Sequence, residues 1–136
     1  MSSAFDWVKA RAACSLQVVF KELELDTRHD VDGIREERPD TAAEFEFLVT
    51  DGGFSVMRQG KMRPDSIDFT LEGDRIVAKD PRLGGTSITA TLTLNDNGDC
   101  RLKVGNQELE QWQFRRKALE TLFFGKGADN CLGGPR

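Results

Sequence analysis

Residues 86–104, TSITATLTLNDNGDCRLKV, carry the pattern that decides the fold of this chain. Apolar and polar side chains alternate in the first half of this stretch, as they do in a strand with one buried face. The segment DNG at 96–98 predicts a three-residue hairpin loop, with its glycine in the left-handed conformation that most residues avoid. A slip of one residue would mix the two faces, so the alternation specifies the pairing. The predicted partners are Leu94 with Cys100 and Leu92 with Leu102.

Two-residue turns at positions 51–52, 73–74 and 105–106 predict three more hairpins. Because the connections in this part of the chain are short, six strands and a short seventh are expected to form an antiparallel meander. The predicted cross-strand partners are Val49 with Phe54, Phe47 with Val56, Leu71 with Ile76, Phe69 with Ala78, and Leu102 with Leu109. The residues expected on the buried face are Phe45, Phe47, Val49, Phe54, Val56, Ile67, Phe69, Leu71, Ile76, Ile88, Leu92, Leu94 and Leu102.

A long helix is predicted before the sheet, because two apolar stripes repeat at helical spacing from residue 5 onward. Ser3 and Asp6 suit its first turn, since a hydroxyl and an acid stabilise the free amides there. The helix is expected to fray near Gly33 and to be broken by Pro39. The first stripe consists of Phe5, Val8, Ala12, Leu16, Val19 and Leu23. The second consists of Trp7, Cys14, Val18 and Leu25, with Arg11 at the same spacing.

One stripe must face the sheet, and the other needs a second cover, which could be the C-terminal helix or a second subunit. The sequence predicts an acidic linker over 33–43 and a C-terminal helix over 110–124. The fold class is therefore α+β, with a single domain over residues 1–125. The glycine-rich residues 126–136 are expected to form a disordered tail.

The meander followed by a helix with an apolar face, which includes Trp112, resembles the layout of pleckstrin-homology-like domains. This resemblance is the alternative fold, and it implies a barrel-like sheet with a C-terminal helix. The lipid-binding members of that group have a long, basic first hairpin loop. Here the first hairpin has the tight turn at 51–52.

Composition favours a globular domain that binds neither nucleic acid nor membrane. The net charge is -4 with a pI near 5.1, whereas nucleic-acid-binding proteins usually carry a basic excess. No apolar run is long enough to span a bilayer, and the N-terminus lacks the pattern of a secretory signal. Cys14, Cys100 and Cys131 are an odd number at wide spacings, which predicts reduced thiols and a cytoplasmic location. Cys14 and Cys100 are expected in the core.

Two groups of side chains are candidates for a site, and no cofactor or metal ligand set is predicted. His29 with Asp30 or Asp32 would suit a hydrolase-type enzyme if the three converged in a cleft. Arg58, Arg115 and Arg116 could bind an anion. Because Arg115 and Arg116 fall within the apolar arc of their helix, the other interpretation is structural pairing with Glu44, Glu46 or an acid of residues 22–32.

Three functions follow from these features. The first is a non-catalytic module that binds another protein or a second copy of itself through Trp7, Arg11, Val18 and Leu25. The second is binding of a small hydrophobic or acidic ligand between the sheet and the helices, with an arginine fixing the acidic group. The third is the hydrolase that uses His29. Trp7 and Trp112 stand at helical core spacing, so core packing is the expectation for their rings.

Overall fold

The structure, a computed structural model, describes residues 5–60, 65–82 and 84–125. Two helices precede a sheet and one helix follows it. The helices are α1 (Trp7–Ala13), α2 (Leu16–Glu37) and α3 (Gln111–Phe124), and a short 3₁₀ helix covers Pro39–Glu44. The strands are β1 (Phe45–Thr50), β2 (Gly53–Arg58), β3 (Asp65–Glu72), β4 (Arg75–Lys79), β5 (Ser87–Leu94), β6 (Cys100–Val104) and β7 (Gln107–Leu109).

The seven strands form one antiparallel sheet whose spatial order is the order of the chain. This confirms the predicted meander and makes the fold α+β. The barrel of the pleckstrin-homology-like alternative is wrong, because the sheet stays open between β1 and β7 in the described part of the chain. The five pairs predicted from the two-residue turns and the two predicted around residues 96–98 all have the predicted register. Gly98 has φ +85°, the left-handed conformation that its loop requires.

The core lies between one face of the sheet and the helices α2 and α3. Phe54 and Phe69 form its centre, with ring centroids 4.7 Å apart and no exposed surface. Eleven of the thirteen residues predicted on the buried face belong to this core or pack against its rim.

 The two predicted residues outside the core and its rim are Val49 and Leu94. Val49 is 63% exposed, because it lies at the turn end of β1, the edge strand.

The first apolar stripe is divided between two helices rather than carried by one. Ser15 has extended backbone angles and its hydroxyl accepts a hydrogen bond from the amide of Val18, so a new helix begins there. The prediction of one continuous helix was therefore wrong. Asp6 caps α1 by accepting a hydrogen bond from the amide of Lys9, while Ser3 lies outside the described residues.

Helix α2 runs through Gly33 and ends at Glu37, one residue before the Arg38-Pro39 pair. The predicted fraying at Gly33 was wrong, and the first part of the predicted 33–43 linker is helical. Six residues of α2 are buried against the sheet or α3. They are Val19, Phe20, Leu23, Thr27, Val31 and Ile34. The predicted break at Pro39 is confirmed.

Cys14 and Cys100 form a disulfide that joins the end of α1 to the start of β6. The prediction of reduced thiols was wrong for these two residues. Cys14 is buried as expected, but Cys100 belongs to the exposed residues. Cys131 and the predicted tail lie outside the described residues.

Helix α3 begins with a capping box, in which Glu110 and Gln113 each bond the other's backbone amide. It ends at Gly125, which has φ +79° and confirms the predicted C-cap. Its buried residues are Phe114, Ala118, Leu119, Leu122 and Phe123. None of the described helices is long and apolar enough to cross a membrane.

Candidate functional site

Residues 5–13, named here the N-terminal arm, expose all three of their large apolar side chains. Phe5 is 59% exposed, Trp7 65% and Val8 59%, and α1 contains no buried residue. The expectation that Trp7 packs in the core was therefore wrong. Contiguous exposed apolar side chains are typical of interaction surfaces.

The N-terminal arm is attached to the hairpin formed by β5 and β6 at two points. The disulfide of Cys14 holds its C-terminal end. Near its other end, the ring of Phe5 lies so close to Gly98 that a Cβ on that glycine would overlap it. The arm is thus held in place by its ends while Trp7 and Val8 face outward.

A groove of about 440 Å³ runs between α2 and α3, and it is named here the helix groove. Its volume lies within the range of ligand pockets, which begins near ~300 Å³. It is formed by the two helices. Another cavity, of about 410 Å³, lies between the sheet and α3, where the ligand hypothesis expected one. The lining residues of the helix groove are Asp30, Ile34, Glu37, Trp112, Arg115, Arg116, Leu119, Glu120, Phe123 and Phe124.

Two exposed aromatic residues stand at opposite ends of the helix groove. Trp112 is 49% exposed and Phe124 is 52% exposed. The expectation of core packing for Trp112 was wrong, because the buried face of α3 is the one that carries Phe114. The groove therefore offers aromatic surface to a binding partner.

Arg115 connects α3 to α2. Its Nη1 donates to both carboxylate oxygens of Asp30, at 2.7 and 2.6 Å, and its Nε donates to Oε1 of Gln111 at 2.7 Å. The side chains of Arg115 and Asp30 are only 17% and 29% exposed. This confirms the interpretation of structural pairing with an acid of residues 22–32. An acidic ligand would have to compete with Asp30 for this guanidinium.

Arg116 lies on the same groove and donates from Nε to Oε1 of Glu120 at 2.9 Å. Its partner was not among the acids proposed from the sequence. Asp30, Glu37 and Glu120 outnumber the two arginines of the groove, so its formal charge is negative. This charge favours a cationic partner over an anionic one.

Arg58 lies away from the helix groove, at the C-terminal end of α3. It donates to the carbonyl oxygens of Leu122 and Phe123 and to Oε1 of Glu44, at 3.0, 3.3 and 3.1 Å. A cation beside the last carbonyls of a helix is stabilising. The structure therefore does not bring Arg58 together with Arg115 and Arg116.

Arg58 shares a cleft of about 650 Å³ with Arg82, and this cleft is more polar than the helix groove. Arg82 is bonded to Asp80 and Asp65. The hydrogen bond to Asp80 raises the pKa of the Arg82 guanidinium. Both arginines already bind carboxylates, so the guanidinium groups of this cleft are engaged in ion pairs.

His29 is an exposed residue of α2. Asp30 lines the helix groove and is bonded to Arg115, while Asp32 is exposed on another face of the helix. The described residues also contain no group of three His, Cys, Asp or Glu side chains that could hold a metal ion. This geometry gives the hydrolase hypothesis no assembled set of reacting groups.

The other residues of the predicted interaction surface are exposed as well. Arg11 lies on the N-terminal arm, and Val18 and Leu25 are 41% and 54% exposed on α2. The helix groove was not predicted from the sequence, because Trp112 and Phe124 fit the apolar arc of α3 as well as its buried residues do.

Comparison of the chain with protein-family models, curated proteins and solved structures gives no significant match.

Proposed function

We propose that this protein is a non-catalytic interaction module that self-associates through its N-terminal arm. The observation that carries the proposal is that α1 buries none of its residues while Trp7 and Val8 are more than half exposed. Removing such apolar surface from water against a partner favours association. A second copy of the chain is the partner proposed.

The test compares two exposed valines by sedimentation equilibrium from low to high micromolar protein. Val8 on the arm is 59% exposed and Val49 on β1 is 63% exposed. Val8→Asp is expected to weaken dimerisation by about tenfold or more, since it places a charge in an apolar contact. Val49→Asp, the matched control, should leave it unchanged. A wild-type protein that stays monomeric, or equal behaviour of both variants, would contradict the proposal.

A second candidate function is binding of a small hydrophobic ligand in the helix groove. The groove volume of about 440 Å³ and the aromatic residues Trp112 and Phe124 support it. The dye ANS is a suitable probe, because its fluorescence rises on apolar surfaces. Saturable ANS binding that Trp112→Asp abolishes, without a change in far-UV circular dichroism, is the expected result, because Trp112 lines the groove and is half-exposed. Equal ANS fluorescence in both proteins would rule this function out.

The disulfide also bears on the cellular compartment in which the protein works. The predicted cytoplasmic location rested on reduced thiols, and the disulfide between Cys14 and Cys100 removes that support. Such a bond persists in oxidising compartments. We propose that the arm works in its disulfide-tethered form, which thiol titration of protein isolated without reductant would test. Reactive Cys14 and Cys100 in that protein would contradict it.

A further inference from the structure

We infer that the N-terminal arm of one copy docks in the helix groove of a second copy. The inference rests on the proposed self-association and adds the surface that receives the arm. An amphipathic helix that lays its apolar side chains in a hydrophobic groove is a recurrent recognition mode.

The helix of the arm is shorter than the groove. Seven residues of α1 rise about 10 Å, at ~1.5 Å per residue. The groove extends along α3 from Trp112 to Phe124, which is roughly 18 Å at the same rise. A helix of this length can therefore lie within the groove.

The two surfaces also agree in chemistry. Trp7 and Val8 supply apolar side chains, and Trp112 and Phe124 expose their rings at the groove. Lys9 and Arg11 give the arm a positive charge against the single acid Asp6, whereas the groove is formally negative.

Two carboxylates are the partners for the basic residues of the arm. Glu37 and Glu120 line the groove. Glu37 is exposed, whereas Glu120 is paired with Arg116, so a basic residue of the arm would share that carboxylate with Arg116. Opposite charges at such an interface set the orientation of docking and the choice of partner.

In the structure the arm does not occupy the groove of its own chain. It lies against the hairpin of β5 and β6, where Cys14 is bonded to Cys100 and the ring of Phe5 contacts Gly98. None of residues 5–13 lines the groove. Residues 126–136 contain a single large apolar residue, Leu132, so they offer little to an apolar groove. The arm of a second copy is therefore the occupant that we propose.

A charge-swap experiment in the full chain tests the inference. The first variant carries Lys9→Glu and Arg11→Glu on the arm, and the second carries Glu37→Lys and Glu120→Lys in the groove. Each variant alone brings like charges together, so its dimerisation should weaken by about tenfold or more. An equimolar mixture should dimerise with about wild-type strength, because each arm then meets a groove of opposite charge.

The matched control for the groove variant is Glu22→Lys with Asp32→Lys, which changes two exposed acids of α2 outside the groove by the same charge. This control should dimerise like the wild type. If the arm variant fails to dimerise but the groove variant is unaffected, the groove assignment is overturned and the proposed function stands. If the arm variant dimerises normally, or the wild type is monomeric, both fall. A mixture that does not recover also overturns the inference.

Discussion

Helices α1 and α2 carry parts of the same apolar stripe, yet they relate to the core in opposite ways. Helix α2 buries six residues, whereas α1 buries none and is held by a disulfide and one ring contact. The difference lies at Ser15, where the backbone turns away before the stripe continues. Helical spacing therefore predicts which side of a helix is apolar, but not what covers it.

The largest expected effect comes from the buried side of this comparison. Leu23→Ala removes a fully buried α2 side chain and should lower the free energy of unfolding by about 2–5 kcal/mol. Val8→Ala on α1 should change it by less than about 0.5 kcal/mol. Urea denaturation measures both. Equal losses would mean that α1 is packed as tightly as α2.

The second effect concerns the tether of the arm. Cys14→Ser with Cys100→Ser should cost about 2–4 kcal/mol, because the bond closes a long loop in the unfolded chain. The exchange rate of the backbone amide hydrogens should rise in α1 and stay low in the sheet. Adding a dithiol should reproduce both results in the wild type and change nothing in the double variant. A double variant as stable as the wild type would contradict the prediction.

A third effect concerns the contact between α2 and α3. Arg115→Ala removes the pair with Asp30 and should cost about 1–2 kcal/mol, since the pair is partly exposed. Arg75→Ala, whose pair with Asp74 is more exposed, is the control and should cost less than about 0.5 kcal/mol. Thermal unfolding distinguishes the two. Equal small losses would show that Arg115 does not hold the helices together.

The smallest effect should be a gain. The hydroxyl of Thr27 is buried on α2 and has no hydrogen-bond partner among the described residues. Thr27→Val should therefore raise the free energy of unfolding by about 1 kcal/mol. Ser55→Ala, which removes a hydroxyl bonded to Asp68 at 2.8 Å, should lower it by a similar amount. Destabilisation by Thr27→Val would mean that the hydroxyl of Thr27 makes a stabilising hydrogen bond, and would contradict the prediction.

The sheet could be predicted from the sequence because its signals are local. Each hairpin combines a short turn with alternating apolar and polar residues on both sides. The pairing of Val49 with Phe54 and of Leu92 with Leu102 therefore follows from residues that are close in the chain. The pairing of Arg115 with an acid of α2 was also accessible, because an arginine on an apolar arc requires a partner.

The helix groove and the disulfide that tethers the arm could not be predicted, because they depend on contacts between distant residues. Cys14 and Cys100 are 86 residues apart, and an odd cysteine count gives no pairing rule. The side of α3 that remains uncovered depends on where α2 lies. Trp112 and Phe114 are both apolar, and only the packing of the helices separates the exposed ring from the buried one.

The sequential order of the strands has a consequence for how the protein is made. During synthesis each strand from β2 to β7 can pair with the one that left the ribosome just before it. No strand has to wait for a distant partner. Cys14, in contrast, emerges early and meets no other cysteine of the chain until position 100 has been translated. The disulfide that fastens the arm can therefore form only after the first five strands have been made.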